Sequence, residues 1–312
     1  MNILVTGGCG YTGTILTNSL LDKNHKVKVI DTQWFGNYLI KNENLQILKE
    51  DIRDINEQDL NNIDTVVHLA NIANDPGVEL NSKLSWEVNV LATQKLIDLS
   101  VKNKVKQFIF ASSGSVYGIK KEDQVTEDLS LLPISTYNKT KMIAEKVIKS
   151  YENEIIIHTI RPATVCGFSP RMRLDVSVNM FVFQALKNKV LKVHGGKQIR
   201  PNIHIQDLIN VYNHFIEKPN LPSGAYNAGF ENLSILEIAE KVSEMIPSKI
   251  EISKNNDPRS YRQNSDKLIS SGFEQKFTIE DAIREIKDQF INKKFKETDR
   301  CYTVKWMKKL GL

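Results

Sequence analysis

Short apolar runs rich in β-branched residues alternate, through the first half of the chain, with longer stretches whose apolar positions recur every three or four residues. The runs Ile3–Thr6, Lys26–Ile30, Leu45–Leu48, Thr65–Leu69, Gln107–Ala111 and Ile155–Ile160 predict strands. Between them, Tyr11–Asp22, Leu84–Lys102 and Tyr137–Tyr151 predict helices with one apolar face. Alternation of this kind implies a parallel sheet covered by helices, a doubly wound α/β domain over residues 1–165. Beyond it the alternation loosens. A helix over Asn179–Asn188, short strands at Val190–Val193, Asn202–Ile205 and Ala225–Ala228, and helices over Gln206–Glu217, Ser234–Met245 and Thr278–Phe290 predict a smaller mixed α/β lobe, residues 166–312. Some of its strands and helices are free to return to the first sheet. Such a lobe would close over the carboxyl ends of the strands, where a doubly wound sheet binds its ligands.

Composition narrows the classes. With 312 residues, 41% hydrophobic and 25% charged, the chain can bury a full core. Its three cysteines, Cys9, Cys166 and Cys301, are widely spaced with no Cys-x-x-Cys pair, so reduced thiols are expected and neither a disulfide framework nor a metal site. Met1-Asn2-Ile3-Leu4 runs directly into the first strand without a basic leader or long apolar span, which gives a cytoplasmic, non-membrane expectation. The net charge of +5 is modest, although eight of the 26 residues from Lys287 to Leu312 are Lys or Arg. It is not a basic run of the aromatic-interleaved kind that tracks a nucleic-acid backbone, so it reads as a solvated face or docking segment and nucleic acid is not an expected partner.

Candidate chemistry begins directly after the first strand. Gly7-Gly8-Cys9-Gly10-Tyr11-Thr12-Gly13 places glycines at 7, 10 and 13 before an amphipathic helix. Without Cβ atoms a dinucleotide pyrophosphate can approach the turn, and the amides of Tyr11, Thr12 and Gly13 at the helix N-terminus would meet its charge. Asp31 ends the second strand about 20 residues later, where an acid accepts hydrogen bonds from the adenosine ribose hydroxyls and repels a 2′-phosphate. With no arginine in Thr32-Gln33-Trp34, the expected cofactor is NAD. Asp51-Ile52 after the third strand suits the adenine amino group, or equally a helix cap. Leu69-Ala70, ending the fourth strand, would let the dinucleotide lie against the backbone, and His68 beside them reads as a packed sheet-end residue.

Tyr137 and Lys141, four residues apart, share one helix face. Upstream, Ala111-Ser112-Ser113-Gly114-Ser115 ends a strand in hydroxyls beside the expected start of that helix. The three side chains suit acid/base chemistry on an alcohol. An ammonium at Lys141 would favour the Tyr137 phenolate and hold the nicotinamide ribose, while Ser113 would donate to the developing oxyanion.

As a set, these motifs resemble the extended short-chain dehydrogenases, specifically the nucleotide-sugar epimerase/dehydratase group that includes UDP-glucose 4-epimerase and UDP-glucuronate decarboxylase. The resemblance spans nearly the whole chain. It implies a Rossmann fold, bound NAD, a homodimer formed through helices Leu84–Lys102 and Tyr137–Tyr151, and a nucleotide-diphosphate sugar as substrate. It adds Asn89 and Pro162 to the cofactor residues, and Ser115, Thr164, Asn179, Arg200 and Arg262 to the substrate residues. Guanidinium forks suit the diphosphate oxygens.

Departures bear on the reaction. Dehydratases of the group carry Thr-Asp-Glu where this chain has Ser113-Gly114-Ser115. Thr164 and Cys166 stand where relatives show Asn and Tyr, and Asn71 replaces an alanine, so sugar contacts do not transfer directly. Arg171-Met172-Arg173-Leu174-Asp175 resembles a subset containing C4 dehydrogenases of nucleotide-linked heptoses. The leading expectation is a C4 epimerase working through a 4-keto sugar. The alternative is a C4 dehydrogenase or ketoreductase with net redox, and a non-enzymatic NAD-binding regulator is disfavoured by the intact Tyr137/Lys141/Ser113 set.

Overall fold

A computed structural model of the chain describes residues 1–254 and 260–312; of the motif that precedes Arg262, Asp257-Pro258-Arg259 lies outside the described residues. Twelve strands are assigned among the described residues: β1 (Asn2–Thr6), β2 (Lys26–Ile30), β3 (Leu45–Leu48), β4 (Thr65–His68), β5 (Gln107–Ala111), β6 (Ile156–Pro162), β7 (Thr164–Cys166), β8 (Val190–His194), β9 (Ile199–His204), β10 (Gly224–Ala228), β11 (Glu231–Ser234) and β12 (Lys249–Ser253). Seven form one sheet in the order β3-β2-β1-β4-β5-β6-β10, with all neighbours parallel. The reversal of winding between β1 and β4 opens a crevice at their carboxyl ends. β10 comes from the late part of the chain and pairs with β6, Gly224 opposite His158, so the sheet is completed by a strand that the pattern assigned to the second lobe.

The helices are α1 (Tyr11–Asp22), α2 (Asp75–Leu80), α3 (Ser82–Trp86), α4 (Ala92–Lys102), α5 (Thr136–Lys149), α6 (Ser177–Asn188), α7 (Ile205–Glu217), α8 (Ile235–Met245), α9 (Asp266–Ser270), α10 (Ile279–Ile291) and α11 (Thr303–Lys309). One face of the sheet buries Val5, Val29 and Ile109 against Leu16 and Leu20 of α1 and Tyr212 and Phe215 of α7. The other buries Leu4, Val66 and Phe108 against Leu96 and Ile97 of α4 and Ala144 and Ile148 of α5. Strands covered on both faces lose the polar alternation of a half-exposed sheet, which is why β4 is buried at every position. A third cluster centred on Phe181, Val182, Leu191, Ile238 and Ile283 forms the smaller lobe.

Three expectations are modified. The helix anticipated over Leu84–Lys102 is α3 and α4 joined by a π turn, Glu87–Leu91, which widens the backbone where Asn89 reaches across to Ile72. The helix α2 was not anticipated: Asn74, at φ +66°, caps it by accepting from Gly77 N at 2.8 Å, and its six residues carry no periodic apolar pattern. The basic tail is not a solvated or docking segment throughout. Within α11, Trp306 donates to the Trp34 carbonyl at 2.6 Å, Thr303 N donates to Asp175 at 3.0 Å and Met307 is buried, while Lys305 and Lys309 both pair with Asp299. Inward residues spaced three and four apart dock the tail on its own body. Among the described residues, no helix is long and apolar enough to cross a membrane.

A buried ion pair links α5 to the sheet. Glu145 accepts from Arg161 of β6 at 3.1 and 2.7 Å and from the Ser112 hydroxyl at the end of β5. Arg161 also donates to the Tyr117 hydroxyl at 2.7 Å, which in turn donates to Asn227 of β10 at 2.8 Å. Removing one partner strands the other charge in the interior. Arg161→Met should therefore cost about 3–5 kcal/mol of unfolding free energy, with much of the loss recovered in the Arg161→Met/Glu145→Met double variant. Denaturant titration checks this, and a loss in the single variant of under about 1 kcal/mol would contradict the pair's structural role.

Candidate active site

Every strand of the first half of the sheet delivers something to one cleft of about 580 Å³. After β1 the chain turns at Gly7, φ +75°, where a Cβ would stand 2.6 Å from the Ala70 amide. A Cβ on Gly13 would stand 2.2 Å from the Gly7 carbonyl. Only glycine lets the turn press this close to the end of β4 and the start of α1. Gly10 is the N-cap of α1 and offers no side-chain acceptor, so the first-turn amides face the cleft. Such a cradle, with Asp31 beyond it, fits the extended pyrophosphate and ribose of a dinucleotide.

Asp31 is held at the cleft wall by Cys9 N at 2.9 Å and Gln33 N at 2.6 Å; burial raises its pKa and these donors oppose the rise. Asp51 and Ile52 line the same end, with the Asp51 carboxylate capping a turn and gripping Arg53 at 2.9 Å. Pro162, at the end of β6, lines the cleft beyond β5, while Leu69 and Ala70 complete this wall. His68 lies beneath it, bonded to Thr6 at 2.6 Å and Thr93 at 2.8 Å, and burial depresses its pKa to about 3, so it is a neutral packing residue.

Tyr137, Lys141 and Ser113 meet on the opposite side. Ser135 caps α5 by accepting from Asn138 N at 3.2 Å, which fixes the first turn that carries Tyr137. Lys141, buried, donates to the Ala111 carbonyl at 2.7 Å, and its ammonium lies 4.8 Å from the Phe110 ring centre. Burial pushes its pKa down to about 7, against the favourable field of Glu145 one turn on. Burial likewise pushes the Tyr137 phenol up to about 12, opposed by a hydrogen bond with Ser113 and the charge of Arg173. The sequence suggests a depressed phenol held by Lys141. In the protein burial is the largest cause of both shifts, and Arg173 adds a charge that favours the Tyr137 phenolate.

Several expected site residues lie off the cleft. Asn89 spends its amide on Ile72 N at 2.8 Å, Ile72 O at 3.2 Å and Thr140 at 3.1 Å, bracing the wall from behind. Asn179 is fully buried, donating to Tyr11 Oη at 3.0 Å and accepting from Gly167 N at 3.0 Å. The Tyr11 side chain accordingly turns its hydroxyl inward, donating to the Gly167 carbonyl at 2.7 Å, and the residue also lines the cleft. Ser115 stands behind Ser113, 2.7 Å away, and donates to Asn138 at 2.6 Å. Arg262 is exposed near the Asn232 carbonyl at 3.5 Å, whereas Arg200 and Thr164 do line the cleft. Lining to which the sequence assigned no site role comes from Arg171, Arg173 and Asp175, of the segment singled out above only for its resemblance, and from Thr303 and Met307; folding brings residues 171–177 and α11 over the strand ends.

A family model described as the NAD dependent epimerase/dehydratase family matches residues 3–229. The chain belongs to that family. It is 32% identical over 270 residues to an uncharacterized UDP-glucose epimerase, YtcB, of Bacillus subtilis, covering 78% of this chain and 82% of that one. It is 27% identical over 264 residues to UDP-glucuronic acid decarboxylase 1 of Danio rerio, covering 80% of this chain and 62% of the relative. Among solved structures, UDP-glucuronic acid 4-epimerase from Bacillus cereus in complex with UDP-glucuronic acid and NAD superposes with a TM-score of 0.82 at 27% identity, over 95% of this chain and all of that one. Members of this NAD-dependent epimerase/dehydratase family are enzymes of nucleotide-sugar chemistry, and the cleft is placed and built for their cofactor.

The displaced pKa values predict a pH profile. Together Tyr137 and Lys141 release a first proton near pH 7 and the second far above it, and the one-proton state includes phenolate beside ammonium, the form a base requires. On its substrate, kcat/KM should rise as pH increases through about 7 and then level. Lys141→Met should move this limb up toward the value of Tyr137 alone, about 12. An unshifted limb in the variant would contradict the pairing.

Proposed function

We propose that the enzyme is a nucleotide-sugar C4 epimerase that works through a transient 4-keto sugar. The observation that carries this reading is the end of β5, where Ser113-Gly114-Ser115 offers hydroxyls and no carboxylate. Elimination of water needs an acid beside the Tyr137 hydroxyl to protonate a leaving group. Of the carboxylates lining the cleft, Asp31, Glu50 and Asp51 stand at the ends of β2 and β3, away from Tyr137, and Asp175 is taken by Arg173 Nε at 2.9 Å and Thr303 N at 3.0 Å; Asp75, whose charge reaches Tyr137, accepts from the Ser135 hydroxyl at 2.5 Å. What remains near Tyr137 is suited to moving one proton on and off one oxygen.

When bound, NAD accepts a hydride from the sugar carbon and returns it. Tyr137 takes the C4 hydroxyl proton and later gives it back, and Ser113 donates to the oxygen as charge develops there. Lys141, anchored on the Ala111 carbonyl, holds a positive field beneath Tyr137. Arg200, on β9 at the second lobe's side of the cleft, supplies a fork for the diphosphate of the sugar nucleotide. Inversion follows when the keto sugar presents its other face before the hydride returns.

The second reading is a C4 dehydrogenase or ketoreductase, favoured by the wall that residues 171–175 build beside Tyr137. It uses the same residues but exchanges its cofactor each turnover. The epimerase reading predicts purified protein that retains NAD(H) and converts a nucleotide sugar into its C4 epimer without added cofactor. Tyr137→Phe should cut that turnover by about 10²–10⁴-fold with NAD(H) still bound. Release of water or carbon dioxide, or stoichiometric consumption of added NAD, would contradict epimerisation.

A further inference from the structure

Among the described residues, the second lobe sends into the cleft a buried charge, Arg171, for which no side-chain ion pair is found. Arg171, in the segment after β7, is 5% exposed, and its Nε and Nη1 have no hydrogen-bond partner among the described residues. Its guanidinium lies over the Phe35 ring, 4.0 Å from the centre. Asp175, the acid of its own loop, is already engaged by Arg173 and Thr303. Burial drives the Arg171 pKa down to about 10, the mark of a cation held away from water. Buried guanidinium groups without partners are costly, and the lost hydrogen bonds are recovered when an anion arrives.

We propose that Arg171 is a phosphate-binding residue for the cofactor, closing over the dinucleotide pyrophosphate from the side opposite the glycine turn. The proposal rests on the NAD reading of the cleft and not on the reaction proposed for it. Position identifies the anion. On one side Arg171 lies over the ring of Phe35 and within the field of Asp31, at the adenosine end. On the other it feels Arg173, whose own field reaches Tyr11 in the first turn of α1 and Tyr137 at the catalytic end. Between adenosine ribose and nicotinamide lies the pyrophosphate. The first-turn amides of α1 meet it from the sheet side, and the unpartnered Nε and Nη1 of Arg171 offer charged donors to its outward oxygens. A 2′-phosphate is the other anion a dinucleotide carries, and Asp31 stands against it. Asp175 ties this segment to Thr303 of α11, so the arginine is anchored to the docked tail.

Full-length protein titrated with NADH, and NADH displaced by ADP or by adenosine, tests the assignment through NADH fluorescence. Arg171→Met should weaken NADH and ADP about 10- to 100-fold, the range of a charge-assisted hydrogen bond or bidentate pair, and leave adenosine unchanged. The cofactor-free variant should melt no lower than the parent, since a buried unpaired charge has been removed. Unchanged NADH and ADP affinities would overturn the proposal, as would an equal loss for adenosine, which would make Arg171 a wall of the adenosine slot. If the methionine variant does not fold, Arg171→Lys carries the test: ADP should weaken by about tenfold with adenosine unaffected, and undiminished ADP binding overturns it. A parent protein that binds neither NADH nor ADP would instead overturn the cofactor reading, and this proposal with it.

Discussion

The carboxylate of Glu145 is the point on which the geometry of the active site turns. Buried on α5, it draws together Ser112 at the end of β5 and Arg161 on β6, and through Arg161 reaches Tyr117 and Asn227 of β10. Ser113 is the next residue along from Ser112, and Lys141 and Tyr137 lie one and two turns before Glu145 on the same helix. A charge pair this deep must be satisfied almost completely or it destabilises the fold. The requirement that locks α5 against the sheet therefore also fixes the phenol, the ammonium and the hydroxyl relative to each other. The same carboxylate limits how far burial depresses the Lys141 ammonium.

The parts of the site carried by short-range pattern were legible in the sequence. Gly7, Gly10 and Gly13 follow a strand and precede a helix, Asp31 ends the next strand, and Tyr137 and Lys141 share a helix face, so each could be placed from its neighbours alone. Asn89 and Asn179 read as site residues by resemblance, yet both spend their amides on backbone groups that shape the walls. That distinction depends on which partner each side chain meets in space. Arg171 and Arg173 lie in a segment with no periodicity, and their approach to Asp31 and Tyr137 follows from how the second lobe folds back over the strand ends. The tail was misread for a related reason: its lysines dominate the composition, but Thr303, Trp306 and Met307 decide which face turns inward.

The cleft has two electrostatic characters. Its adenosine end gathers Asp31 and Asp51, while the end near Tyr137 is overlooked by Lys141, Arg173 and, from β9, Arg200. A positive field at the second end favours an anionic substrate there and, by the same sign, the phenolate of Tyr137. Substrate binding and base activation are thus supported by the same positive field, and the high phenol pKa of the free protein describes the resting state that this field works against.

Oxidation at C4 followed by return of the same hydride makes a claim about a single atom. The most direct test is to supply nucleotide sugars deuterated at C4 in ordinary water and follow the label by mass spectrometry and NMR. Epimerisation by this route predicts a product of inverted configuration that keeps its deuterium at C4 and takes up no solvent hydrogen there. Loss of the label from C4 in an inverted product, or label transferred to free cofactor with a keto sugar left behind, would contradict it.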